Sequence, residues 1–173
     1  MCSPPISQYS EIGISVPNSS PIAVRYTGID SPNAAKLVAY GEEFGALNAD
    51  VNLETFPVPH TTESVAVSLV APEGRIVYTG DTGPSSELAR WAAGCDLLLA
   101  ECSLPAERAM DIHLTPEQAG DLAKEADAKR LVLTHFYPPV ETSDPAKVAG
   151  TRFRGPVTAA KDGDRFTIGD GRR

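Results

Sequence analysis

The sequence predicts an α/β domain, in the broad sense that includes α+β arrangements: a mixed sheet with helices set between its strands. Three observations predict it. "SVAVSLVAPEGRIVYTG", residues 64–80, holds two β-branched runs joined through Pro72, Glu73 and Gly74, the signature of a hairpin. "DLLLAE" (96–101) and "KRLVLTH" (129–135) contain short continuous apolar runs, as expected of strands buried on both faces. Between them "TPEQAGDLAKEA" carries a full helix start, with Thr115 as cap, Pro116 at the first helical position and Gln118 closing a capping box.

The remaining elements follow in chain order. Residues 1–21, rich in proline and serine, show no sustained period and read as loop, poor edge strand or disorder. Residues 22–173 form the single domain. "SPNAAKLVAYGEEFG" (31–45) reads as a helix, with Ser31 as cap, Pro32 after it and Gly45 as its stop. "VNLETFPVPH" (51–60) is an extended run with a proline-bent end, and "SSELARWAAG" (85–94) is a short helix with Leu88 and Trp91 on one face. In the helix after Thr115, the residues Ala119, Leu122, Ala123 and Ala126 make the buried stripe. "FYPP" (136–139) reads as a loop and "GPVTAAKDGDRFTI" (155–168) as a closing hairpin.

Composition bounds the function. The chain has 173 residues, 42% hydrophobic and 22% charged, which suits one soluble domain with a real core. A net charge of −8 argues against broad affinity for phosphate backbones, although a bound metal ion can reverse the local sign. No apolar run approaches the roughly 20 residues needed to span a bilayer, and the N-terminus lacks the basic and apolar regions of a secretory signal. Cys2, Cys95 and Cys102 show no CxxC spacing, so free thiols in a reducing cytoplasm are the expectation.

Chemistry-bearing residues collect at strand ends. In sheets with interleaved helices, ligands bind beyond the carboxyl ends of the strands, and His60, Asp81, Glu101 and His135 all fall there. Asp81 lies in "TGDTG", where flanking glycines let the chain bend and aim a carboxylate outward; its bland alternative is an Asx-turn capping the next helix. Glu101 ends a buried strand, which either reaches solvent there or brings a partner to the carboxylate. His113 precedes the capped helix and could be a plain surface histidine, while His135 could be a core histidine bonded to a carbonyl. Taken together, two imidazoles and a carboxylate from separate strand ends could hold a divalent cation, zinc by preference, with manganese or iron as alternatives. Water on such a metal deprotonates near neutral pH.

The ordered pieces "FPVPHT", "VYTGDTG", "LLLAECS", "HLTPEQAG" and "RLVLTHF" resemble the metallo-β-lactamase-fold hydrolases, and within them the ribonuclease Z-like branch, over residues 22–170. The resemblance implies an αββα sandwich. It implies that His60 completes the ligands of a first zinc, that Asp81 bridges two metals and that His135 binds the second. It implies further that Glu101 and His113 pair beside the scissile phosphate and help protonate the leaving group of a phosphodiester, RNA or a small nucleotide. All three histidines of the chain therefore fall on site positions. The departure lies upstream: no histidine precedes His60, so the family's His-x-His-x-Asp-His motif is absent. The resemblance thus covers mainly the C-terminal half of the fold. It leaves neither metal with the three protein ligands a catalytic zinc usually takes, and leads us to expect one sheet face left open. A catalytically inactive half-domain, acting through a partner or as a homodimer, is the rival expectation.

Overall fold

Apolar side chains alternate between two destinations along the central strands. The computed structural model describes residues 9–15, 22–27 and 52–168; the helix expected at 31–45 lies outside them. A six-stranded sheet runs in the order β3 (Asn52–Pro57), β4 (Val65–Ala71), β5 (Gly74–Tyr78), β6 (Leu97–Glu101), β7 (Leu131–Thr134), β8 (Val157–Ala159). β3, β4 and β5 pair antiparallel, and β5 to β8 pair parallel.

On one face Val77, Leu98, Ala100, Leu131 and Leu133 pack with Leu88, Ala119, Leu122, Ala123 and Ala149. Those partners come from α1 (Ser86–Trp91), α2 (Pro116–Glu125) and α4 (Pro145–Ala149). On the other face Ile76, Tyr78, Leu97, Leu99 and Val132 pack with Ile168, joined by Ala160 and Phe166. The period of two along β5, β6 and β7 therefore feeds both layers, which is why these strands read as unbroken apolar runs. The expectation of an open sheet face is overturned, since Leu97, Leu99 and Val132 are 2% exposed or less.

The capping box at the start of α2 is complete: the Gln118 N–H donates to the Thr115 hydroxyl and the Thr115 N–H to the Gln118 side chain. The other expectations fare unevenly. The 64–80 hairpin forms as β4 and β5. The closing hairpin does not: β8 joins β7 in the large sheet, while β9 (Arg165–Thr167) pairs parallel with β1 (Tyr9–Ser15) in a three-stranded sheet, β2 (Ile22–Thr27)–β1–β9. The turn between them is made as expected, with the Lys161 N–H on the Asp164 carboxylate, but it carries the chain from one sheet to the other. β1 shows that the proline-rich start holds a strand, with the prolines on either side of it. "FYPP" is only partly loop, because Pro138 opens the short helix α3 (Pro138–Glu141).

The sheet end opposite the site is tied by charge. Asp96 accepts from the Arg75 N–H at 2.7 Å and from Lys129 Nζ at 2.6 Å. Burial pushes the Asp96 carboxyl up, but these two donors outweigh it and hold it below the usual carboxylate range. No helix among the described residues is long and apolar enough to cross a membrane.

Candidate functional site

The loops leaving β3, β5 and β7 bring His60, Asp81 and His135 to one edge of the sheet, where Glu101 ends β6, and the segment before α2 adds His113. After β3 the chain folds back at Pro59. His60 Nδ1 then lies 3.2 Å from Ser64 Oγ, and the His60 N–H donates to the Val58 carbonyl.

Asp81 follows β5 in the glycine-bounded turn. Gly80 has φ +60°, a left-handed conformation that glycine takes without steric cost. At Gly83 the need is space: a Cβ there would run into the Asp111 carbonyl oxygen. The Gly83 N–H also donates to the Pro59 carbonyl at 2.8 Å. This one residue thus joins the turn carrying Asp81 to the loops carrying His60 and His113. Asp81 does not cap the next helix, since Ser85 caps α1. We expect Gly83→Ala to displace the Met110–His113 turn and cost about 1–3 kcal/mol, the range for overpacking a filled site. Chemical denaturation of the two proteins checks it.

Glu101 does not reach solvent; it is fully buried. One carboxylate oxygen accepts from the Thr82 N–H at 2.9 Å and faces His113 Nδ1 at 2.8 Å; the other accepts from the Ser103 N–H at 3.1 Å and the Ser103 hydroxyl at 2.6 Å. An acceptor so occupied places the shared proton on His113 Nδ1, leaving Nε2 as the ring nitrogen available for chemistry. The bond to Glu101 lifts the His113 imidazole above its ordinary value; burial works against this, and the charges of Glu101 and Asp81 add to the lift.

His135 Nε2 and Asp81 Oδ1 are 3.6 Å apart. His135 has φ +58°, an uncommon conformation outside glycine that collects at functional sites. The His60 ring meets the His113 ring at 5.1 Å between centroids, and His113 lies 6.1 Å from His135. Tyr137 packs against both His113 and His135. Its hydroxyl is pushed above the usual phenol range by burial and by the charges of Asp81 and Glu101.

Asp81 and His135 stand at a separation a shared cation could bridge, and the His60 ring joins the group through His113. Among the described residues no set of three or more His, Cys, Asp or Glu side chains is arranged to hold a metal ion. Two facing donors fall short of the three a catalytic zinc usually takes, so these residues do not by themselves fit one.

Residues 2–136 match the family model of the beta-lactamase superfamily domain. The chain belongs to the beta-lactamase superfamily. Its α/β sandwich, with a mixed sheet and interspersed helices, is the metallo-β-lactamase architecture. Within the superfamily, an uncharacterized protein of Mycobacterium leprae is 37% identical over 114 residues, covering 64% of this chain and 40% of that protein. A ribonuclease Z of Natronomonas pharaonis is 30% identical over 154 residues, covering 84% of this chain and 50% of the relative. Among solved structures, the metallo-beta-lactamase fold protein YhfI from Bacillus subtilis superposes with a TM-score of 0.60 at 28% identity, over 66% of this chain and 48% of that one. The chain therefore spans half or less of the length of these superfamily relatives.

Sequence reasoning missed Thr82, Ser103 and Tyr137, and read Gly83 as a bend where the structure makes it a close contact. "GDTG" gives no local sign that Thr82 serves Glu101, because that bond closes only when β5 and β6 lie side by side; Ser103 sits two residues from Glu101, and "ECS" is the local signal that could have found it.

Proposed function

We propose that this chain carries the leaving-group side of a metal-dependent phosphodiesterase site of the ribonuclease Z-like kind, together with part of its metal ligands. RNA or a small nucleotide is the substrate class. The observation that carries the reading is the buried Glu101–His113 pair, 2.8 Å apart, set against His60 and His135 at the same sheet edge. A lifted imidazole held by a buried carboxylate is a general acid: His113 gives its Nε2 proton to the departing alkoxide oxygen as the P–O bond breaks, and Glu101 steadies the ring from behind. Glu101 touches no substrate in this scheme. It is a positioning residue, and His113 is the catalytic one. The likeness to a ribonuclease Z supports the substrate class.

His60, Asp81 and His135 are the residues we assign toward zinc, with manganese or iron as alternatives, and further ligands are required to complete the set. The isolated 173-residue chain is accordingly expected to bind zinc weakly, and Asp81→Ala more weakly still, in a calorimetric titration. A stoichiometric metal that survives dialysis against a mild chelator would contradict the partial ligand set. Substrate class is tested by supplying a segment with the His-x-His-x-Asp-His motif and comparing a phosphodiester, a lactam and a thioester. The reading expects turnover of the phosphodiester, and preference for either of the others would sink it.

A further inference from the structure

Tyr137 stands outside the five residues above, yet its ring touches two of them. The ring centroid lies 5.7 Å from that of His113 and 5.4 Å from that of His135, with interplanar angles of 61° and 63°. With His113 and His135 6.1 Å apart, the three rings close a triangle. Edge-to-face packing of this kind is the arrangement that ring quadrupoles favour.

The backbone fixes the apex of that triangle. His135 turns the chain through a left-handed conformation, and Pro138 starts α3 immediately after Tyr137. The Tyr137 N–H donates to the Ser103 carbonyl at 3.3 Å. Ser103 is the residue whose own N–H and hydroxyl hold Glu101. Tyr137 is thus bound through its backbone to the support of the acid pair, and through its ring to both imidazoles. Rotation of an imidazole about its last torsion is soft, and the hydrogen bond to Glu101 and the His60 ring at 5.1 Å do not fix the tilt of His113 toward His135. A second ring packed at its edge removes the tilt.

We infer that Tyr137 is a positioning residue whose ring, not its hydroxyl, fixes the orientation of His113 relative to His135. The inference rests on the phosphodiesterase reading for its catalytic consequence, but its structural part can be tested without activity. The chain has three histidines, so a histidine-labelled sample gives three imidazoles to follow by NMR. Tyr137→Leu should shift the His113 and His135 ring signals most, with His60 moving less because it meets Tyr137 only through His113. Tyr137→Phe should leave all three in place.

In the metal-loaded enzyme completed by the upstream motif, Tyr137→Leu should lower kcat by about 10²-fold with KM unchanged, the cost of a reacting group misplaced by about 1 Å. Tyr137→Phe should restore it to within a few-fold. Three results would overturn the inference: a Phe variant as impaired as Leu, a Leu variant with raised KM and intact kcat, or unmoved imidazoles in the Leu variant. A Leu variant that fails to fold, reported by the single tryptophan, Trp91, also overturns it, since the ring would then be supporting the core. If no form of the enzyme hydrolyses a phosphodiester, the functional reading falls, and the imidazole signals still decide the positioning role.

Discussion

The 173-residue chain, given zinc or manganese, is expected to hydrolyse bis-p-nitrophenyl phosphate no faster than buffer. Supplying the His-x-His-x-Asp-His motif should bring activity, which His113→Ala then lowers, by about 10²–10⁴-fold in kcat for a phosphodiester with an alkyl leaving group, the usual contribution of a general acid, and by less for this substrate. Two separate deficits set these sizes. Attack requires hydroxide at neutral pH, which a metal with too few protein ligands does not supply. On the proposed reading, leaving-group departure draws a proton from His113, whose Nδ1 lies 2.8 Å from Glu101. A missing nucleophile cannot be replaced by a good acid, so the first loss is complete and the second partial. The p-nitrophenolate leaving group needs little protonation, so the His113→Ala loss should grow with a substrate whose leaving alcohol is less acidic. Robust turnover by the unassisted chain, abolished by Asp81→Ala, would show that these residues already hold a working metal.

Glu101→Ala should be the most destabilising single change near the site, at about 3–5 kcal/mol. The carboxylate is fully buried and takes donors from Thr82, Ser103 and His113. Removing it leaves two backbone N–H groups and a hydroxyl in the interior, each costing about 1–3 kcal/mol if unpaired, offset in part by water entering the space. Against a total stability of about 5–15 kcal/mol this is a large share. Glu101→Gln keeps the shape but turns one acceptor into a donor, and should fall between the two. The measurement is the urea midpoint at unchanged slope. A Glu101→Ala protein within about 0.5 kcal/mol of the parent, the scatter of ordinary surface substitutions, would mean that the four bonds contribute nothing net.

Legibility in the sequence followed the range of the interaction concerned. The capping box of α2 lies within four consecutive residues, Thr115 to Gln118, and could be read outright. β6 and β7 announced themselves by composition, because burial on both faces demands it. β8 and β9 are three residues each, and their sequence reads as a hairpin, although each pairs with a strand distant in sequence or in a different sheet. α3 and α4 escaped notice despite Pro138 and Pro145 at their starts, because helices of four or five residues carry too little periodicity to register. The candidate site showed the same division. His60, Asp81, Glu101, His113 and His135 stood out by type and place. Thr82, Tyr137 and the close contact at Gly83 did not, since what they do depends on neighbours distant in sequence; Ser103, which bonds Glu101 two residues away, is a small polar residue of a kind common after strands and so did not stand out by type.

The parallel pairing of β6 with β7 sets the order in which this chain can fold. β4 and β5 close through a tight turn, a local event of microseconds. β7 can pair with β6 only after the whole segment through α2 has crossed over, a long closure whose entropy is lost before any contact repays it. His135 and Tyr137 arrive with that strand. The triangle of His113, His135 and Tyr137 is therefore among the last parts to assemble, and a chain still emerging from the ribosome holds Asp81 without His135, and His113 without Tyr137, until β7 has docked.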